Sequence, residues 1–317
     1  MICTPPTKLT IGCILGRCVM LAGITLAALH AHNADAAITT TGLFAHYDAG
    51  ADTYTNNPAK SGSTADPADT NGDQIWEWWD QATAISGNNL VQNNNTTIQA
   101  SLKTNAINGL PSIIQSPVGT STKVGYLSLD GSEGADPYGT AMDSKNITLT
   151  AVFKNNIHTE PHYLISFKHS GTDDTFGVRF NGGNRISYAA SDSGINEITN
   201  DASSIGTDWS ILTLVFDGDN GTFKEYVNGV ETGSLTGLTV STTPELERFR
   251  IGSAMNRSGG SRFDGEYAEF LIYNTALSDI DRAANESFLL NKYAIPEPAS
   301  FALLGFGLCV LAHRRMT

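Results

Sequence analysis

Short runs rich in Val, Ile, Thr, Phe and Tyr recur through this chain, and each is stopped by Gly, Asn, Asp or Ser. They read LFAHYD, ITLTAVFK, HYLISFK, TFGVRF, RISYAA, ILTLVFD, TFKEYV, RFRIG and EYAEFLIY. β-Branched and aromatic residues suit a pleated, half-buried surface, so each run predicts a strand. In ITLTAVF, Ile147, Leu149, Ala151 and Phe153 alternate with Thr148 and Thr150, which predicts one face in the core and the other toward solvent. Asn228-Gly229, between Val227 and Val230, supplies the positive φ angles of a type I′ hairpin. Gly182-Gly183 makes a second hairpin, and the Gly/Asp/Asn cluster at 217–221 turns the chain a third time. Strands joined this way pair antiparallel, and so many of them predict an all-β, two-sheet antiparallel jelly-roll sandwich.

One helix is expected after the last strand. Ser278 stands where an N-cap belongs, with Asp281 as its capping-box partner. Ile280, Ala284 and Phe288 recur at helical spacing, a stripe expected to pack on the sandwich. Residues 51–74 are polar and poor in apolar side chains, and they read as a long surface loop.

Both ends differ from this body. Lys8 and Arg17 precede the apolar VMLAGITLAAL and then NADA, which predicts a secretory signal peptide over residues 1–36. Ala34 and Ala36 take the small-residue positions of its cleavage site. At the other end residues 299–312 hold no charge. As a separate hydrophobic tail helix they would rise about 21 Å, against a hydrocarbon core of about 30 Å. Snorkelling of Arg314 and Arg315 makes up the difference, and the same pair keeps that end cytoplasmic.

Setting the ends aside sharpens the composition. Cys3, Cys13, Cys18 and Cys309 all lie in them, so the body at 37–295 offers no disulfide, no thiol nucleophile and no thiolate metal site. Lys8, Arg17, Arg314 and Arg315 leave the 19 basic residues, and Asp35 and Glu297 leave the 32 acidic ones, so the body carries about −15. It has no Lys/Arg cluster, which argues against nucleic acid as a partner.

Chemical motifs are sparse. There is no E-x-D-x-x-E of the jelly-roll glucanases, no G-x-S-x-G and no phosphate-cradling loop. Glu266 and Glu269 are three apart on one strand, and odd spacing sends them to opposite faces, unfit to flank one glycosidic bond. His158, Glu160 and His162 sit in HTEPH, which Pro161 breaks, so a surface loop is expected. In DTNGD, Asp69, Asn71 and Asp73 alternate as the ligands of a calcium loop do, while such clusters are also ordinary turns. The run IWEWWD holds Trp76, Trp78 and Trp79; buried they fill the core, exposed they stack on sugar rings. No other cofactor is expected.

Two resemblances follow from these residues. Pro296-Glu297-Pro298, the apolar run and the Arg pair resemble the PEP-CTERM sorting signal. That resemblance implies an exosortase-type enzyme that removes residues 296–317, transient contact with the inner membrane, and release at the cell surface among extracellular polysaccharide. In the body, Phe263, Gly265, Glu269, Ile272-Tyr273-Asn274 and Ala276-Leu277-Ser278 resemble the closing segment of laminin-G-like, concanavalin A-like domains, and the run from Tyr226 to Gly229 resembles their Y-V-N-G hairpin. LFAHYDA, WEWWDQATAISGNN and KTNAINGLPSI resemble their opening. The expectation is a jelly-roll domain over 37–295 that is not an enzyme and serves as a carbohydrate-binding or adhesive module. A glycan-active hydrolase on the same fold and a purely structural matrix protein are the alternatives.

Overall fold

The computed structural model describes residues 37–56, 64–82, 89–92, 100–115, 127–129, 144–156, 161–169, 174–202, 205, 207–241, 246–253 and 263–295. The cleavage site at Ala34 and Ala36, the motif Pro296-Glu297-Pro298 and the apolar tail lie outside them. Two units are distinguished, Met1–Ala37 and Ile38–Thr317, and of the first only Ala37 is described. No helix among the described residues is long and apolar enough to cross a membrane.

Two antiparallel sheets build the second unit, with strands numbered in chain order. Sheet I runs β15 (Val230–Thr236), β14 (Thr222–Val227), β13 (Ser210–Asp217), β8 (Asn146–Asn155), β17 (Gly265–Tyr273), β6 (Leu110–Gln115) and β5 (Ser101–Ile107), and β1 (Leu43–Asp48) also pairs with β17. Sheet II runs β12 (Gly194–Asp201), β11 (Asn184–Ser191), β10 (Asp174–Asn181), β9 (His162–His169), β16 (Leu246–Ile251), β7 (Leu127–Leu129), β4 (Leu90–Gln92), β3 (Glu77–Trp78) and β2 (Thr53–Tyr54). The expected sandwich is therefore present, and all nine sequence runs fall in strands. Asn228 and Gly229 take φ of 48° and 82°, the mirror-image turn that matches strand twist.

Aromatic rings fill the space between the sheets. Phe167 lies 5.1 Å from Phe249, and Phe153 meets Phe263 edge-on at 6.1 Å. Each fully buried Phe contributes about 1.5–3 kcal/mol by leaving water. One ion pair also crosses this core. Arg185 of β11 reaches Glu225 of β14 at 2.7 Å, and neither is exposed at all. Ser187, Asn200 and Thr232 bond the same carboxylate, so it is buried with its hydrogen-bonding capacity used.

The outer face of sheet I is covered, contrary to the solvent exposure that alternation predicts for Thr148 and Thr150. Both are buried beneath helix α1 (Asp279–Tyr293) and the segment leading into it. Thr148 Oγ1 donates to Thr275 O and accepts from Leu277 N, and Thr150 bonds Thr213. Ser278 caps α1 as expected, accepting from Asp281 N. The buried stripe differs from the expected one. Ile280 is 82% exposed, whereas Asn285, Glu286, Leu289, Leu290 and Tyr293 face the sheet. Two polar residues lie in that stripe: Asn285 accepts from Thr39 N at 2.8 Å and donates to Tyr273 OH at 2.9 Å, and Glu286 pairs with Arg282 through one oxygen.

Candidate functional site

Edge strands β5 and β2 lie on the same side of the sandwich, and residues 66–75 pair with both. Thr55 N donates to Asp66 O and Ala68 N to Thr53 O along β2. Gly72 N then donates to Leu102 O, Leu102 N to Asp73 O and Ile75 N to Ala100 O along β5. The polar loop expected at 51–74 is thus a backbone-paired closure of two exposed edges, which would otherwise be open to other strands.

A cleft of about 430 Å³ remains where that pairing stops. Its cause is local. β5 loses register between Lys103 and Ile107, across from Pro111 of β6. Asn105 within that bulge turns at φ 54°, and Asp52 on the opposite wall turns at φ 55°. Left-handed backbone away from glycine is tolerated best by Asn and Asp. Leu102 and Ala68 give the cleft an apolar floor, and Tyr54, Thr104 and Asp69 line it too. Tyr54 OH donates to Asp52 Oδ1 at 3.1 Å; burial first, then the Asp52 bond and charge, push its pKa up, so the phenol stays a donor. None of the described lining residues is cationic.

Beside the cleft lies a buried charged network under the last turn of α1. Glu269 accepts from His46 Nε2, Lys292 Nζ and Tyr293 OH, each at 2.7 Å. Lys292 also reaches Asp48 Oδ2 at 2.5 Å. Burial alone would push the Glu269 carboxyl up; His46 and Lys292 outweigh it and hold it below the usual carboxylate range. His46, Asp48 and Glu269 are close enough together to ligate a metal ion, but the Lys292 ammonium already pairs with both carboxylates.

Glu266 and Glu269 do not point to opposite faces. A bulge between Tyr267 and Glu269 resets the alternation, so Tyr267 and Phe270 both enter the inner core while both glutamates face outward. Glu266 is held by Lys103 at 2.7 Å and by Ser112 at 2.9 Å, apart from the partners of Glu269.

The remaining candidates separate. Asp73 Oδ2 accepts from Asp69 N and Thr70 N, and Asn71 Oδ1 accepts from Thr104 N, so in DTNGD the side chains of Asp73 and Asn71 serve backbone groups while Asp69 lines the cleft. Of the tryptophans only Trp78 is core, donating from Nε1 to Asp48 O at 2.9 Å. Trp76 is half-buried. Trp79 is half-buried as well and packs against Tyr54 with ring centroids 4.6 Å apart. The paired strand here is only Glu77–Trp78, so alternation does not extend to the outer two. His162 is not in a surface loop: it opens β9, is buried, stacks on Phe180 at 4.9 Å and bonds Asn155. His158 and Glu160 lie outside the described residues. Asp52, Tyr54, Thr104, Asn105 and Lys292 escaped the sequence reading; the one signal for the bulge was Pro111 inside a strand-like run.

Residues 129–281 match the family described as the concanavalin A-like lectin/glucanases superfamily, of the laminin G type. No curated protein sequence matches the chain. Among solved structures, the binding domain of botulinum neurotoxin DC in complex with SialylT is similar at a TM-score of 0.51 and 9% identity, covering 78% of this chain and 51% of that one. The same binding domain in complex with rat synaptotagmin II gives 0.51 at 11% identity, again covering 78% and 51%. This chain spans about half the length of those structures, and at such identity the likeness is one of fold. The matched residues run from the end of β7 into the first turn of α1, and around them the chain forms an antiparallel two-sheet sandwich with a closing helix.

Proposed function

We propose that this domain is a non-enzymatic carbohydrate-binding module that takes an uncharged glycan in the cleft between β2 and β5. The cleft itself carries the reading. An apolar floor suits the C–H face of a sugar ring, and Asp52, Asp69, Thr104 and Asn105 offer acceptors and donors to its hydroxyls. With no cation in the described lining and a body near −15, an anionic glycan meets repulsion. Binding is favoured over hydrolysis because a glycosidase needs one carboxyl kept protonated beside a second, about 5–9 Å away. Glu269 is instead held ionised, and Glu266 is tied to Lys103 and Ser112. Calcium is a further part of the proposal, since Asp69 belongs to both DTNGD and the cleft lining.

Export completes the reading. The signals at 1–36 and 296–317 support passage through the inner membrane, exosortase-type removal of the tail, and a place at the cell surface. A glycan array with the purified protein, with and without calcium, tests the binding. Neutral glycans should bind, and Asp52→Asn or Tyr54→Phe should weaken it while the melting temperature holds. Release of reducing sugar would favour the hydrolase, and no binding at all would favour a structural matrix role. Mass spectrometry of the protein from its own host tests processing; residues 301–315 intact on the exported form would contradict it.

A further inference from the structure

The last turn of α1 touches both walls of the cleft. On one wall Lys292 Nζ holds Asp48 Oδ2 at 2.5 Å, and the other oxygen of that carboxylate accepts from Gly50 N at 2.7 Å. Gly50 lines the cleft. On the other wall Asn108 Nδ2 donates to the Lys292 carbonyl at 3.1 Å. Asn108 and Gly109 form the tight turn between β5 and β6, with φ of 48° and 79°, and Gly109 lines the cleft as well. One residue thus binds one wall through its side chain and the other through its backbone. The walls are close where they meet: a Cβ on Gly50 would lie 3.1 Å from Asp48 Oδ1 and 3.6 Å from the Pro111 ring.

Lys292 is itself well anchored. Glu269, fully buried, takes its second contact at 2.7 Å, and the neighbouring Tyr293 OH bonds the same oxygen. Both glutamate contacts come from β17 at the centre of sheet I, so the ammonium is referenced to the rigid middle of the fold and not to another loop. At its other end the cleft is closed by residues 66–75, which pair with both β2 and β5. Asp52 and Asn105, both left-handed and both lining the cleft, sit two residues after Gly50 and three before Asn108.

We infer that the end of α1 is a brace that sets the width of the cleft, with Lys292 as its positioning residue. This rests on the cleft being the glycan site. It adds that affinity depends on a helix that does not touch the sugar. Because coupling is reciprocal, a bound glycan also holds the helix end down.

The test uses the full chain with Cys3, Cys13, Cys18 and Cys309 each replaced by Ser, which leaves no other thiol. Spin labels on Ala51→Cys and Thr104→Cys report the distance across the cleft. Lys292→Met should broaden that distance distribution and lengthen its mean, Lys292→Arg should restore it, and Asn108→Gly, which keeps the positive φ of the turn and removes only the side-chain bond, should broaden it alone. Titration with cellohexaose and maltohexaose supplies the second readout: a probe that binds the parent should lose about tenfold in affinity with Lys292→Met. It should also slow hydrogen exchange in the last turn of α1. An unchanged distance distribution in both Lys292→Met and Asn108→Gly, whatever happens to stability, overturns the brace. A changed distribution with no binding of either sugar keeps the brace and counts against the glycan reading.

Discussion

Glu269→Gln separates a structural carboxylate from a catalytic one. The side chain is fully buried and accepts three bonds at 2.7 Å, from His46, Lys292 and Tyr293. The amide is isosteric but keeps one acceptor and turns an NH₂ toward donors. A hydrogen bond to a charged group is worth about 1.5–3 kcal/mol, and breaking a buried pair from one side costs about 3–5 kcal/mol. Lys292 retains Asp48 and is itself 21% exposed, which lowers the figure. The expected loss is about 2–4 kcal/mol at neutral pH. Urea unfolding followed by tryptophan fluorescence, with m unchanged, reads it directly. As a control, Glu197→Gln breaks the half-exposed pair with Arg179 and should cost under about 1 kcal/mol. The pH dependence has a definite sign. The folded-state pKa of Glu269 lies below its ordinary value, so its contribution is complete above that value and is lost as pH falls through the depressed one. The difference between parent and variant should therefore shrink in acid. A cost below about 1 kcal/mol, or one that does not change with pH, would refute the reasoning.

Three other outcomes follow from the same contacts. Arg185→Met should destabilise by about 3–5 kcal/mol because Glu225 stays buried without its cation, while Arg185→Met with Glu225→Leu should cost less than the single change; equal urea midpoints would contradict this. Trp78→Ala should cost about 3–5 kcal/mol, whereas Trp79→Ala should weaken glycan binding more than it lowers the melting temperature, since it removes the ring behind Tyr54. Ser278→Ala should cost about 1 kcal/mol through the lost cap on α1, measured by thermal unfolding.

What could be read from the sequence were features in which side chains report on their own strand or turn. The strand at ITLTAVF, the Asn228-Gly229 turn and the Ser278 cap each involve neighbours a few residues apart, and all three are present, although the solvent exposure expected of Thr148 and Thr150 is not. Hidden from view were features that depend on backbone pairing or on distant segments. The bulge in β17 put Ala268 beside Glu269 and reversed the facing of everything before it; the only trace was the spacing of Tyr267, Phe270 and Ile272, three and then two. Composition called residues 51–74 a surface loop because backbone N–H groups pair regardless of side-chain polarity. Ile280 fits the helical stripe by spacing, yet Arg282, 3.8 Å from the centre of the Tyr226 ring, and the buried Asn285 and Glu286 fix the rotation of α1. Polar residues with partners outcompeted an isoleucine without one.

The position of the cleft follows from the same rule. A sandwich with open edges must protect them, and this one does so by running a single polar segment between β2 and β5. That segment can satisfy both edges only while both stay extended. β5 loses its register between Lys103 and Ile107, where Asn105 takes a positive φ, and the pairing ends there. What remains is a gap with paired backbone above it, an apolar floor from the core, and polar residues forced inward by left-handed turns at Asp52 and Asn105. Replacing Asn105 by Val tests this origin. A β-branched residue resists the positive φ there, so β5 should pair through Thr104–Ala106 and narrow the cleft. Amide exchange at residues 104–106 should then slow, and binding of neutral glycans should weaken without loss of stability. Unchanged exchange at those amides would place the cause of the bulge, and with it the cleft, somewhere other than Asn105.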